Sequence, residues 1–194
     1  MTTQYYTAAS VDGFIADENN SLDWLLQFDD AGGSEPSDTG YADFIGNIGA
    51  LAMGSTTYQW VLDHHVQPRV GQPRPWPYTQ PTWVFSHREL PSIDAADIHF
   101  VSQSPAAQRS INAVHGQMVQ AAAGKNVWLV GGGDLAGQFA DAGLLDEIIL
   151  TIAPVTLGGG SPVMPRRLVT PPLRLTSVKQ SGPFAELRYT LHSH

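Results

Sequence analysis

Residues 125–162 read KNVWLVGGGDLAGQFADAGLLDEIILTIAPVTLGGGSP. Asn126 to Val130 is a short run rich in apolar, β-branched and aromatic residues, as a buried strand requires, and it stops at Gly131, Gly132 and Gly133. Asp134 follows as an N-cap, and Leu135, Phe139, Ala142 and Leu145 recur at helical spacing. A second apolar run, Ile148 to Val155, comes next. Strand, glycine turn, helix and strand form a βαβ unit, with a right-handed crossover and locally parallel pairing. The glycine turn then lies at the carboxyl end of its strand, where ligands of open α/β sheets bind. Bare glycines let a ligand approach the backbone, and free N–H groups at the helix start attract phosphate. The same three glycines also fit a tight turn selected for its φ angles alone.

Composition narrows the function classes. A chain of 194 residues fits one domain, spanning residues 1–194, with a full core. Apolar residues make up 42 % and charged residues 14 %, which places it among globular proteins rather than disordered chains. A net charge of −8 argues against nucleic acid and anionic membrane surfaces as partners. No apolar run is long enough to span a bilayer, and Met1-Thr2-Thr3-Gln4 lacks the basic start of a signal peptide, so the expected location is the cytoplasm. Without cysteine there are no disulfides, thiol nucleophiles or thiolate zinc sites. The histidines offer no metal set, because adjacent His64 and His65 would point to different helix faces and no HExxH spacing occurs.

Outward from the central unit, Gln4–Ala9 reads as a first strand, followed by the glycine turn of Ser10 to Ala16. Ser21 to Leu26 can start a helix, Asp29–Gly40 reads as a mobile loop, and Tyr41–Ile48 as a helix ended by Gly49. Ala50–Met53 is a strand that runs into Gly54-Ser55-Thr56-Thr57 and a further helix. Five prolines between Val66 and Pro81 rule out helix there. Thr82–Phe85 and Ile98–Ser102 are strands, and Pro105–Ala123 is a helix stopped by Gly124. Leu173–Gln180 and Ala185–His192 alternate as an antiparallel hairpin around Ser181-Gly182-Pro183.

Three strand ends, at Gly54, Ser86 and Gly131, carry phosphate-friendly groups, and a parallel sheet places them on one edge. Together they favour a dinucleotide. His87-Arg88 is the cationic pair at a strand end and suits a 2′-phosphate, which favours NADPH over NADH. A standard Rossmann fingerprint does not fit, since the glycine motif sits late in the chain and Asp146-Glu147 precedes its strand.

Met53-Gly54-Ser55-Thr56-Thr57-Tyr58, Val84-Phe85-Ser86-His87-Arg88 and Val130 to Phe139 resemble, in order, the three cofactor segments of dihydrofolate reductases. Ser10 to Ala16, with Glu18-Asn19 and Trp24, resembles their first strand and lid loop. The run from Leu145 to Val155, then Leu157-Gly158-Gly159-Gly160-Ser161-Pro162, is more similar to the reductase domain of bifunctional riboflavin biosynthesis proteins and its stand-alone bacterial relatives, the RibD C-terminal domain. The resemblance covers nearly the whole chain. It implies a three-layer α/β fold of dihydrofolate reductase type, with a mixed, mostly parallel sheet flanked by helices, an antiparallel C-terminal hairpin, and NADPH across the strand ends.

By the same resemblance, Ala8, Gly54 to Thr57 and Val130, Gly131, Gly132, Gly133, Asp134 and Leu135 hold the cofactor, and Ser86, His87 and Arg88 hold its 2′-phosphate. Ser55 stands where the family often has Arg, a loss for which Arg88 can compensate. Trp24 and Thr151 are assigned to the substrate. The lid-loop Trp is followed five residues later by an active-site carboxylate, a spacing that leads here from Trp24 to Asp29; Asp12 is the second candidate. Burial beside Trp24 would raise the pKa of Asp29. Aspartates beside glycines also serve simply as turn residues. Trp24, Trp60, Trp76 and Trp83 offer stacking surfaces for a flat ring, although most tryptophans are core. The expected activity is NADPH-dependent reduction of a small heterocyclic or carbonyl substrate of pterin or ribityl-aminopyrimidine type. A non-catalytic nucleotide-binding or sensor module and a flavin-dependent reductase are the competing expectations. Relatives in the riboflavin branch tend to form homodimers, and Ile148–Val155 with the closing hairpin offers a surface for one.

Overall fold

A computed structural model describes residues 1–30, 39–68, 71–103 and 107–191. Eight strands form its main sheet: β1 (Thr3–Ser10), β3 (Ile48–Gly54), β4 (Thr82–Ser86), β5 (Ile98–Ser102), β6 (Asn126–Gly131), β7 (Glu147–Ala153), β9 (Arg174–Ser181) and β10 (Phe184–Thr190). Their order is β5-β4-β3-β6-β1-β7-β10-β9. Pairing is parallel from β5 through β7, whereas β10 runs antiparallel to both β7 and β9. The central βαβ unit therefore brackets β1, which lies between β6 and β7. A two-stranded ribbon, β2 (Phe14–Ala16) with β8 (Ser161–Pro162), stands apart.

Helices cover both faces. On one, α4 (Ala107–Ala121) and α5 (Gly133–Asp141) direct Ile111, Val114, Met118, Leu135, Ala136 and Phe139 onto Tyr5, Ala50, Trp83, Phe85, Val127 and Leu129. The spacings 111, 114, 118 and 135, 136, 139 form single helical stripes, which is why these segments are helices and not strands. Gly49 lets the sheet approach closely, since a Cβ there would fall 2.3 Å from the Ala122 carbonyl oxygen. On the other face, α2 (Thr39–Gly46) packs Phe44 against Ile48, Leu51, Trp128 and Ile149. Phe44 meets Tyr6 edge-on at 4.6 Å, and the Trp128 indole N–H donates to the Tyr6 carbonyl at 3.0 Å. The remaining helices are α1 (Asp23–Asp30) and α3 (Ser55–Val61), the latter continuing into a π-helical turn over Leu62–Val66.

Several boundaries differ from the sequence reading for local reasons. Gly132 is the N-cap of α5, and Asp134 sits inside its first turn. The helix assigned to Tyr41–Ile48 runs over Thr39–Gly46, because Ile48 is drawn fully into the sheet as the first residue of β3. Asp29 and Asp30 close α1, and Thr39 and Gly40 open α2 instead of belonging to a loop. Residues 31–38 of that loop and Pro105 lie outside the described residues. The π-helical turn occupies Val66 at the start of the proline-rich stretch, while residues 71–81 carry no helix or strand. β7 ends at Ala153, before Pro154, which cannot donate to the ladder.

Candidate functional site

Parallel pairing of β4, β3 and β6 brings Ser86, Gly54 and Gly131 to one edge of the sheet. There a cleft of about 470 Å³ opens. Two of its walls come from strand-to-helix turns: Gly54, Ser55, Thr56 and Thr57 between β3 and α3, and Val130 to Leu135 between β6 and α5. In both turns the N-cap is a glycine in extended conformation with no side-chain cap, at Gly54 and at Gly132. The first-turn N–H groups of α5 are thus left for a ligand. The two turns touch, since a Cβ on Gly131 would fall 3.0 Å from Thr57 Oγ1.

A third wall is the β2–β8 ribbon with the loop after β2, through Ile15, Ala16, Asn20, Leu22, Ser161 and Pro162. Its position is fixed by glycines and by one carboxylate. A Cβ on Gly133 would lie 2.3 Å from the Pro162 carbonyl oxygen, and one on Gly160, which has φ +125°, would lie 2.1 Å from the Ala16 oxygen. Asp12 accepts from Ser10 Oγ at 2.6 Å, from the Gly158 N–H at 2.7 Å and from the Leu157 N–H at 3.1 Å. The Ser10 hydroxyl, then the Gly158 amide, hold its carboxyl down to about 2. Trp60, Tyr78 and Phe85 supply aromatic surface.

The cleft gathers most of the residues assigned to the cofactor from sequence, namely Gly54 to Thr57 and Val130 to Leu135, and leaves others at its margin. Ala8 faces Thr151 across the β1–β7 ladder, and neither lines the cleft. Trp24 does not line it either; its buried indole N–H has no partner among the described residues. Ser86, His87 and Arg88 lie just beyond the wall. The Ser86 hydroxyl donates to the Arg88 carbonyl at 2.6 Å and accepts the Arg88 N–H at 3.1 Å, so it closes a turn. The His87 ring bonds the carbonyl of Gln103, a cleft residue, at 3.0 Å. Asp12 serves as the anchor of the 157–158 turn, and its lowered pKa makes it a poor proton donor at neutral pH. The side chain of Asp29 lies outside the described residues.

Sequence reasoning passed over Tyr78, Gln103 and Pro165, and gave Gln138, inside the Val130 to Phe139 segment, no role of its own; all four line the cleft. Gln103 and Gln138 are bonded to each other at 3.2 Å across 35 residues, a pairing without a local signal.

The anchoring role of Asp12 has an acid signature. Its folded pKa lies below its ordinary value, so its contribution is complete above pH ~4 and fades as the pH falls towards 2. Asp12→Asn should flatten the acid limb of a stability–pH profile in that window and leave the slope near neutrality unchanged. A wild-type limb in the variant would remove Asp12 from this role.

Comparison with known proteins then fixes the family. The model of the RibD C-terminal domain matches residues 55–185. The chain belongs to the RibD C-terminal domain family. Uncharacterized protein YwjB of Bacillus subtilis is 31 % identical over 187 residues, covering 96 % of each chain. Among solved structures, a Shewanella sp. PV-4 protein provisionally assigned to riboflavin biosynthesis superposes with TM-score 0.72 at 23 % identity, over 98 % of both chains. The Thermotoga maritima diaminohydroxyphosphoribosylaminopyrimidine deaminase/5-amino-6-(5-phosphoribosylamino)uracil reductase gives 0.62 at 15 % identity, over 97 % of this chain and 56 % of that one. Enterococcus faecalis dihydrofolate reductase, solved with NADP(H) and RAB-propyl, gives 0.54 at 14 %, over 97 % and 94 %. The fold of this RibD C-terminal domain is therefore dihydrofolate reductase-like, a fold it shares with those two reductases. No helix among its described residues is long and apolar enough to cross a membrane.

Proposed function

We propose that this RibD C-terminal domain is an NADPH-dependent reductase of a small heterocyclic or carbonyl compound. One observation carries the reading: the turns after β3 and β6 form a single cleft whose backbone is kept bare by glycine. The residues present suit a dinucleotide. Thr57 Oγ1 and the Ser55 and Thr56 side chains offer hydroxyls, Gly131 and Gly132 permit close backbone approach, and α5 opens with uncapped N–H groups. Bound there, NADPH would supply the hydride. The chain's own task is to orient the ring, exclude water and deliver a proton.

The β2–β8 ribbon covers one side of the cleft, and Trp60 and Tyr78 offer flat apolar surface for a heterocycle such as a pterin or ribityl-aminopyrimidine. Asp29 is proposed as the proton source, on its spacing from Trp24. Arg88, held by the Ser86 turn beside His87, whose ring bonds the cleft residue Gln103, is proposed to meet the 2′-phosphate. Titration of NADPH and NADH by calorimetry tests this reading. NADPH should bind the wild type at least ~10-fold more tightly than NADH, and Arg88→Ala should lose most of that preference by weakening NADPH alone. Equal affinities in the wild type would remove the 2′-phosphate assignment. A failure to bind either nucleotide would remove the reductase reading. Oxidation followed at 340 nm with candidate pterins and aminopyrimidines then separates an enzyme from a binding module.

A further inference from the structure

Asp134 lines the cleft from the first turn of α5, with its side chain 67 % exposed. A carboxylate there favours the helix, yet it competes with a ligand phosphate for the same positive end. Two side chains hold it. Gln138 Nε2 donates to Oδ2 at 2.8 Å, and Arg166 Nη2 donates to Oδ1 at 2.9 Å. Arg166 also binds the last turn of the same helix, through Nε to Asp141 Oδ2 at 2.7 Å, while its Nη1 donates to the Pro165 carbonyl at 2.9 Å.

The guanidinium therefore bridges a carboxylate of the first turn of α5 and one of its last. Its path needs Gly137, because a Cβ there would fall 2.7 Å from Arg166 Cγ and 3.0 Å from Cζ. Pro165, its neighbour in sequence, lines the cleft, so the arginine stands at the rim. Of five guanidinium donors, three are used in these bonds among the described residues. An exposed ion pair adds little to stability, so this arrangement should register in the charge seen by a ligand.

We propose that Arg166 is a positioning residue for the anionic cofactor, neutralising Asp134 and holding it aside so that a phosphate can reach the start of α5. This rests on reading the cleft as a dinucleotide site. The coupling is an electrostatic one between two cleft-rim side chains 32 residues apart.

The test is a double-mutant cycle: NADPH affinity of the wild type, Arg166→Ala, Asp134→Asn and the double variant, in dilute buffer and in ~1 M salt, where the screening length is about 3 Å. Arg166→Ala should weaken NADPH about tenfold or more in dilute buffer and much less in high salt. Asp134→Asn should bind at least as well as the wild type, and the double variant should recover to within about threefold of it. Arg166→Gln, which keeps the stem across Gly137, should show the same loss as Arg166→Ala, with melting temperatures close to wild type. Unchanged affinity in Arg166→Ala, or a double variant no better than it, overturns the proposal while leaving the cofactor reading intact. A wild type that does not bind NADPH overturns both.

Discussion

Gly133→Ala is expected to weaken NADPH by more than tenfold and to lower stability by about 1–3 kcal/mol, the usual range for forcing an extra methyl into a packed site. The added Cβ would stand 2.3 Å from the Pro162 carbonyl oxygen, 2.5 Å from that of Val163 and 2.8 Å from the Val163 carbonyl carbon. These are backbone atoms and cannot rotate away. Either the start of α5 or the β8 segment must shift, and both are walls of the cleft. Gly54→Ala is the matched comparison, because its Cβ would meet nothing closer than 3.7 Å and Gly54 has φ −80°. It should retain wild-type stability within about 0.5 kcal/mol. Chemical denaturation of the pair separates a steric demand at Gly133 from a general intolerance of side chains.

Gly160→Ala should act on the opposite wall. At φ +125° any other residue is strained, and its Cβ would fall 2.1 Å from the Ala16 oxygen and 2.9 Å from the Asp17 Cα. The expected result is release of the β2–β8 ribbon. Amide exchange at residues of β2 and β8 should accelerate by at least about tenfold, with a stability loss of about 2–4 kcal/mol from strain and overpacking together. The main-sheet strands β3, β4 and β6 should keep their protection. Uniformly faster exchange across the whole sheet would mean that Gly160 supports the global fold and not this wall.

Much of this architecture was legible because it depends on local pattern. Asn126 to Gly131 is strand-like whatever surrounds it, and the strand-to-glycine turns at Gly54 and Gly131 announce their place at the sheet edge. The division of labour within the glycines was not legible. Gly131, Gly132 and Gly133 look alike in sequence, yet Gly131 faces Thr57, Gly132 has only Ile15 at 3.9 Å, and Gly133 is pressed on the backbone of residues 162–163. Each environment is created by a segment more than 25 residues away. Asp134 reads as an N-cap by type and position, but Gly132 already provides the extended residue, so Asp134 moves into the helix and turns to Arg166. Asp12 illustrates the opposite case. An aspartate beside a glycine is a common turn residue, and the 157–158 amides show which turn it holds.

The Ser86 turn is local, whereas the His87 ring reaches the Gln103 carbonyl from the end of β4 to the residue after β5. That contact follows from the order of strands β5, β4 and β3, which no local pattern encodes.

NADPH is proposed to occupy the cleft between the β3 and β6 turns. Backbone amide chemical shifts followed through an NADPH titration test it most directly, because they locate the ligand as well as detect it. Saturable shifts are expected at Ser55, Thr56 and Thr57 and at Gly131 through Leu135, with lesser shifts at Ile15 and Ala16. No saturable change, or changes confined to the separate surface pocket lined by Arg167 to Pro171 and Leu173, would contradict it.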